Sequence, residues 1–445
     1  MKVSVIGTGY VGIVTGVCLA DKGHAVTCVD VDAEKVERIM KGEPPIFELG
    51  LEELLKKTVG RTLDATTDLR AAVLGSELTL IAVGTPFDGR EIDLTFVREV
   101  ARQIGAVLKE KSAYHVVVVK STVVPGTTDT VVLPILEEAS GKKAGKDFGV
   151  GMNPEFLTEG QAIDDFMKPD RIVLGGLDAR TLEKLDALYA PFTSVPRLRT
   201  NCKTAEMIKY ASNCMLAVQI SFANELGNLC AALGGVDIID VTKGLHMGYY
   251  LRPVLPDGTA VQAPISSFLE AGCGFGGSCL PKDVKALVAH GEKAGRAMPL
   301  LNAVLDINRE QPARTVAMLK KHYPSLRGIR VAVLGLSFKP DTDDMRESPA
   351  IPIIRQLAAE GAVLQAYDPV AMKEAKKILR DVPIVMCPSL EDVLRNVDAA
   401  ILVTRWEEFR KVPEILARLR PQPLLIDGRR MLDKSAVGRY EGIGV

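Results

Sequence analysis

Long apolar runs are missing from this chain. Among its 445 residues no stretch of about 18 uncharged apolar residues occurs, which speaks against a membrane-spanning helix. An excess of charge is missing too. Lys and Arg total 55 against 56 for Asp and Glu, a net charge of −1, so no global field recruits nucleic acid or an anionic membrane, although local basic pockets remain open. Metal-site spacing is likewise absent. The eight cysteines form no CxxC pair and no nearby histidine completes a zinc pattern, so no metal is expected. Several lie within apolar runs such as VTCVD and NCMLA, where Cys acts as a small buried hydrophobe. The N-terminal MKVSVIGTGYVG lacks the apolar stretch and cleavage site of a secretory signal. A reduced, cytoplasmic protein is the expectation.

What is there is an alternation of strand and helix. KVSVIG, HAVTCVD, LTLIAVG, HVVVVKST, FGVGM and RIVLGG are continuous β-branched runs separated by helix-length segments. Such runs suit a parallel sheet covered on both faces, hence a doubly wound α/β domain, placed at residues 1–200. Residues 204–233 have helical periodicity with no Pro or Gly before Gly227. A helix of that length can join domains and supply a dimer interface, and residues 201–315 read as a helical middle domain. LRPVLPDGTAVQAP within it reads as an inserted loop. A second α/β pattern, IRVAVLG, AVLQAYD, PIVMC, DAAILVT and PLLIDG, occupies residues 316–445. The fold class is α/β: two Rossmann-like domains joined by a long central helix and a helical middle.

Gly7, Gly9 and Gly12 form G-x-G-x-x-G between a strand and a helix, and Asp30 closes the next strand 18 residues after Gly12. The glycines allow a pyrophosphate to approach a helix N-terminus, and Asp30 suits ribose hydroxyls while repelling a 2′-phosphate. That favours NAD over NADP. The second α/β unit opens with VAVLGLSFKP, which lacks the further glycines, so a second dinucleotide site is not expected. Lys339 in its turn is either a phosphate or sugar contact or a solvated loop lysine.

GFGGSCLPKD, residues 274–283, sets Cys279 at the end of a glycine loop before a helix. Exposed N–H groups and the positive end of the helix dipole favour a thiolate there, below the ~8.5 of a free thiol. Asp283, one turn on, by itself is an ordinary helix-start carboxylate. Lys209 and Asn213 share one helix face and can stabilise an oxyanion, although such residues are usually solvent-facing. NPEFLTEG, residues 153–160, brings Glu155 and Glu159 to a strand end, where open α/β sheets bind ligands, and KSTVVPGT, residues 120–127, follows a strand at the same edge.

Together with GTP at 84–86, AEMIKYASN, FKPDTDDMRESP and DGRR at 427–430, these motifs run in the order found in the UDP-glucose 6-dehydrogenase family, which the chain resembles over nearly its whole length. The resemblance implies oxidation of a nucleotide-sugar C6 alcohol to a carboxylate with reduction of two NAD. It implies that Cys279 is the nucleophile, forming a thiohemiacetal and then a thioester. Lys209 and Asn213 would stabilise charge on the C6 oxygen, Asp283 would help position water, and Glu155 would act as acid/base, with Thr122 at the catalytic edge. Gly7, Gly9, Tyr10, Val11, Gly12, Asp30, Lys35, Thr85, Thr122, Glu159, Lys282 and Arg346 match the cofactor site. Phe156, Leu157, Phe275, Gly276, Gly277, Phe338, Lys339 and Arg429, with Glu155, Lys209 and Asn213, match the substrate site. Dimerisation through the 204–233 helix is implied as well.

One departure touches the sugar site. Family members often carry an Arg shortly before an FLKAG-like segment, reaching into the partner subunit, and here Ala263 of APISSFLEAG stands about there, with Arg252 as a conceivable replacement. UDP-glucose is the favoured substrate and GDP-mannose the rival, since FGGSCLPKD and LSFK are shared with GDP-mannose 6-dehydrogenases. UDP-N-acetylmannosamine dehydrogenases fit less well, because their thiol and glutamate segments read differently. A non-catalytic NAD-sensing protein is the remaining alternative, and retention of the thiol argues against it.

Overall fold

The β-branched runs pair side by side. In the computed structural model, which describes residues 1–445, the first eight strands are β1 (Lys2–Ile6), β2 (Ala25–Val29), β3 (Leu63–Thr66), β4 (Leu78–Ile81), β5 (His115–Val119), β6 (Phe148–Met152), β7 (Ile172–Gly176) and β8 (Arg197–Thr200). They form one sheet in the order β3-β2-β1-β4-β5-β6-β7-β8, parallel except where β7 runs against β6. β4 to β7 are buried along their full length, as expected for apolar strands covered on both faces. Strand order reverses between β1 and β4, and ligands bind at such a switch point, beyond the carboxyl ends of the strands. β3 (LDAT) and β8 (RLRT) escape a hydrophobic reading because they are polar edge strands, defined by their pairing with β2 and β7.

Six further strands, β9 (Arg330–Leu334), β10 (Val363–Tyr367), β11 (Ile384–Met386), β12 (Ala399–Leu402), β13 (Leu424–Asp427) and β14 (Tyr440–Gly442), make a second parallel sheet in the order β11-β10-β9-β12-β13-β14. The fold class expected from the sequence is therefore the observed one. The chain divides into two compact units, Met1–Ser212 and Asn213–Val445. One helix, Cys202–Leu233, runs through the division; its 32 residues span about 48 Å. The second unit also holds the helices Leu280–Lys293 and Pro299–His322. The Pro/Gly-rich stretch forms an exposed turn closed by a Val254–Ala260 bridge, and no helix is long and apolar enough to cross a membrane.

The two sheets begin with the same local device. Gly7 N donates to Val29 O at 2.8 Å, and Thr8 N and Oγ1 donate to Asp30 at 2.8 and 2.6 Å. Correspondingly, Gly335 N donates to Tyr367 O at 2.9 Å, and Leu336 N and Ser337 Oγ donate to Asp368 at 2.7 and 3.1 Å. The difference is access. Asp30 is half-buried, whereas Asp368 is 1% exposed and also accepts the indole N–H of Trp406 at 3.1 Å and the amides of Val370 and Ala371 at 2.9 and 2.8 Å. A carboxylate so surrounded has no capacity left for a ribose.

Losing that acceptor would strand several buried donors, each costing about 1–3 kcal/mol. Asp368→Ala should destabilise the second unit by at least about 3 kcal/mol. Trp406, the single tryptophan of the chain, reports on it directly in urea unfolding followed by fluorescence. An unchanged midpoint would remove this carboxylate from the stability of the fold.

Candidate active site

The dinucleotide turn is built by exclusion. A Cβ on Gly12 would lie 1.8 Å from Gly7 O, so only glycine lets the helix pack on the turn. Gly9 caps the helix Tyr10–Asp21 without a side chain, and a Cβ there would meet nothing within 4 Å, which leaves open space in front of the first helical N–H groups. Those unpaired donors and the dipole are what a pyrophosphate requires. Val11 follows at the half-buried start of that helix. Asp30 is held low: burial would raise it, but Thr8, the Asp32 amide and Lys35 outweigh that. Lys35 sits in the first turn of the following helix. The residues present therefore fit NAD.

Two features the sequence reading missed fix the rim of this turn. Glu48, 6% exposed, accepts Tyr10 Oη and the amides of Gly160 and Ala162 at 2.7 and 2.8 Å, joining the glycine turn to the end of NPEFLTEG. Glu206, fully buried, accepts Thr128 N and Oγ1 at 2.8 and 2.6 Å and the Gly126 amide, fastening KSTVVPGT to the long helix. Burial pushes Glu206 up to about 7 in spite of these bonds. Thr85 Oγ1 donates to Thr122 O at 2.7 Å, so those two expected residues are adjacent.

Glu155 is 8% exposed and forms an ion pair with Lys209 at 2.9 Å, while Leu157 N donates to its other oxygen at 2.6 Å. Burial alone would raise this carboxyl; Lys209, the Leu157 amide and Lys120 overrule it and hold Glu155 below the usual range. Lys209 also lies 5.6 Å from the Phe156 ring, whose face Arg171 covers at 3.9 Å. Glu159 is half-buried in the same segment. The lysine expected to be solvent-facing from its spacing alone is thus 3% exposed and engaged with the expected glutamate.

In the second unit Cys279 takes the N-cap of the helix Leu280–Lys293, and Pro281 occupies its second position. Seven of the eight cysteines are buried; Cys279 is the exception. Ser278 Oγ lies 3.5 Å from its sulfur. Asp283, 1% exposed, accepts Asn213 Nδ2 at 2.6 Å and pairs with Lys282, so the amide on the long helix and the carboxylate one turn beyond the thiol form a single cluster.

Neutral amides hold the glycine loop before the thiol. Gly272 N donates to Asn224 Oδ1 at 2.7 Å, Gln311 Nε2 donates to Gly272 O at 2.9 Å, and Asn308 exchanges bonds of 2.8 and 3.0 Å with Phe275. Gly277 has φ +87°, and a Cβ would strike the Phe338 ring at 2.7 Å; its N–H donates to Arg346 O at 2.8 Å. Gly276 packs as tightly on Glu347 O. Phe275, Gly276, Gly277, Phe338 and the backbone of Arg346 are thereby brought together. Lys339 stands over the Phe338 ring at 5.9 Å. The Arg346 guanidinium turns back to Asp344 at 2.7 Å on the exposed side. Arg429 donates Nε to Val403 O at 2.6 Å and lies against Gly272. Arg252 is exposed in the inserted turn and Ala263 half-buried after it.

Comparison with known proteins matches this arrangement domain by domain. The UDP-glucose/GDP-mannose dehydrogenase family's NAD binding domain matches residues 1–193, its central domain 203–310 and its UDP binding domain 332–434. The chain is 41% identical to UDP-glucose 6-dehydrogenase AglM of Haloferax volcanii, with all of both chains covered. It is 38% identical to a GDP-mannose 6-dehydrogenase of Pseudomonas putida, again over all of both chains. A solved UDP-glucose dehydrogenase from Pyrobaculum islandicum superposes with a TM-score of 0.90 at 38% identity, covering 99% of this chain and 97% of that one. The chain therefore belongs to the UDP-glucose/GDP-mannose dehydrogenase family, the NAD-dependent nucleotide-sugar 6-dehydrogenases.

Proposed function

We propose that this protein oxidises the C6 alcohol of UDP-glucose to the carboxylate of UDP-glucuronate, through a covalent intermediate on Cys279. The observation that carries the proposal is the accessible thiol at a helix N-cap, one turn before an Asp283 carboxylate bonded to Asn213. NAD, when bound, accepts hydride, twice per sugar. Lys209 and Asn213 stabilise negative charge on the C6 oxygen as its proton leaves. Cys279 adds to the resulting aldehyde: a C–S bond forms and the oxygen takes a proton, giving a thiohemiacetal. Loss of a second hydride, with that proton, leaves a thioester. Water, its proton accepted by Glu155 and its approach aided by Asp283, then breaks the C–S bond and returns the thiol. Thr122 and Thr85, with Glu159 and Lys282, line the cofactor side. Phe156, Leu157, Phe275, Gly276, Gly277, Phe338, Lys339 and Arg429 hold the nucleotide sugar, and Arg346 contacts the cofactor. Domains at 1–200, 201–315 and 316–445 carry these roles.

Relatives named as UDP-glucose 6-dehydrogenases and the match to a UDP binding domain favour UDP-glucose. The full-length GDP-mannose relatives support GDP-mannose as a second reading. NADH absorbance with NAD and a panel of nucleotide sugars decides: UDP-glucose should give the highest kcat/KM, GDP-mannose in its place would transfer the assignment, and silence with every sugar would leave a non-catalytic NAD binder.

The long helix supports a homodimer. Met215, Phe222 and Leu229 are 55%, 47% and 53% exposed at seven-residue intervals, continued by Leu233, and so form an apolar seam of the kind that packs on a second helix. Light scattering at micromolar concentration should give the dimer mass, and Phe222→Glu should give the monomer. A wild-type monomer with full activity overturns this assembly. None of the eight cysteines forms a disulfide, which supports a reducing compartment, the cytoplasm.

Asp30 should confer a strong NAD preference, and Asp30→Ala should narrow the NAD/NADP ratio at least tenfold. Equal wild-type efficiency with both cofactors contradicts this role. For the thiol, Cys279→Ser should lose at least a thousandfold in acid production while NAD and UDP-glucose binding stay within about threefold, since a serine hydroxyl stays protonated without a strong base beside it. Alkylation mapped by mass spectrometry should modify Cys279 ahead of the seven buried thiols, with protection by substrate. Near-normal acid production by the variant eliminates the covalent route.

A further inference from the structure

Lys120 follows β5 and is 2% exposed, yet it forms no ion pair. Its ammonium donates to the side-chain oxygen of Asn153 at 2.9 Å and more weakly to its backbone oxygen at 3.4 Å, and stands 5.9 Å from the centroid of the Phe166 ring. The same Asn153 oxygen accepts the Tyr189 hydroxyl, and Asn153 Nδ2 donates to Val173 O at 2.9 Å. Both acceptor sites of the amide oxygen are thus committed, and Asn153 begins the turn that carries Glu155 two residues later.

A buried ammonium is costly, and here it is set against a neutral amide rather than a carboxylate. A glutamine or methionine would satisfy or avoid Asn153 at lower cost. What the lysine adds is charge. Burial pushes Lys120 down to about 8, with Glu155 favouring its charged form and Lys209 opposing it. In the other direction, Lys120 is one of the groups that keep Glu155 low. Around this carboxylate stand Lys209 from the long helix and Lys120 from the end of β5; Arg171, stacked on Phe156, and Glu159 are the further charges of the segment.

The proposed reaction asks two things of Lys209 that conflict. It must steady the sugar oxygen, and it is also the ion-pair partner of Glu155. A carboxylate this buried, left with no cation when its ion-pair partner turned away, would take up a proton. We infer that Lys120 is a positioning residue for the reaction: through Asn153 it fixes the turn bearing Glu155, and as a second buried cation it keeps Glu155 ionised while Lys209 serves the sugar oxygen. This rests on the acid/base role proposed for Glu155.

The test compares wild type with Lys120→Met and Lys120→Gln, the latter keeping a donor for Asn153. In the pH dependence of kcat for acid formation, removing the cation should move the acid limb at least half a unit toward higher pH in both variants, so that kcat on that limb falls about threefold or more while the plateau changes less, with KM for NAD within about twofold. A loss equal at all pH values, with the limb unmoved, makes Lys120 a structural anchor only and overturns the inference. A second arm needs no turnover and so separates this inference from the function it rests on. The folded pKa of Lys120 lies below the unfolded value, so between about pH 8 and 10.5 the unfolded chain binds more protons at this site. Wild-type stability relative to Lys120→Met should therefore rise with pH across that window. A flat difference means that no buried ammonium stands there and overturns the inference, whatever sugar the enzyme uses.

Discussion

A charged carboxylate buried in protein survives only if cations and donors are built around it, and the Glu155–Lys209 pair is where this chain meets that constraint. Each partner offsets the cost of burying the other's charge. The pair dictates the placement of what surrounds it. β6 must end before Asn153 so that the NPE turn can present Glu155, and the long helix must begin early enough to bring Lys209 against it. Glu206, one turn earlier on that helix, fastens the neighbouring loop to it through Thr128 and Gly126. The same helix then carries Asn213, one turn further on, to its bond with Asp283.

The parts of the site that were legible in the sequence are those whose chemistry is local. Gly7, Gly9 and Gly12 announce a turn because sterics act between neighbours, and Asp30 is read from the strand it closes. Cys279 is read from the glycines before it and the helix after it. Glu48, Lys120 and Glu206 were not legible, because their meaning lies in partners 33 to 114 residues away, at Gly160 and Ala162, at Asn153, and at Thr128 and Gly126. Isolated in sequence, each is one more charged residue among 111. The polar edge strands β3 and β8 failed for the same reason: their pairing, not their composition, defines them.

The two Rossmann-like sheets show how one local device can serve two ends. Asp30 and Asp368 both tie down the turn after the first strand of their sheet, but Trp406 and two further amides consume Asp368. The site that still can bind a ribose is the one whose carboxylate remains partly in solvent. Identity of fold is not identity of function, and a single indole marks the difference.

The frame around the thiol loop is made of asparagines and a glutamine: Asn224, Asn308 and Gln311, the last braced by Asn228. None of these side chains gains or loses a proton in water. The mechanical frame of the loop is consequently insulated from the proton inventory of the reaction. Sulfur, carboxylates and amines can change charge through a catalytic cycle while the walls that hold the loop keep one shape, so acidity tunes rate there without remodelling the vessel.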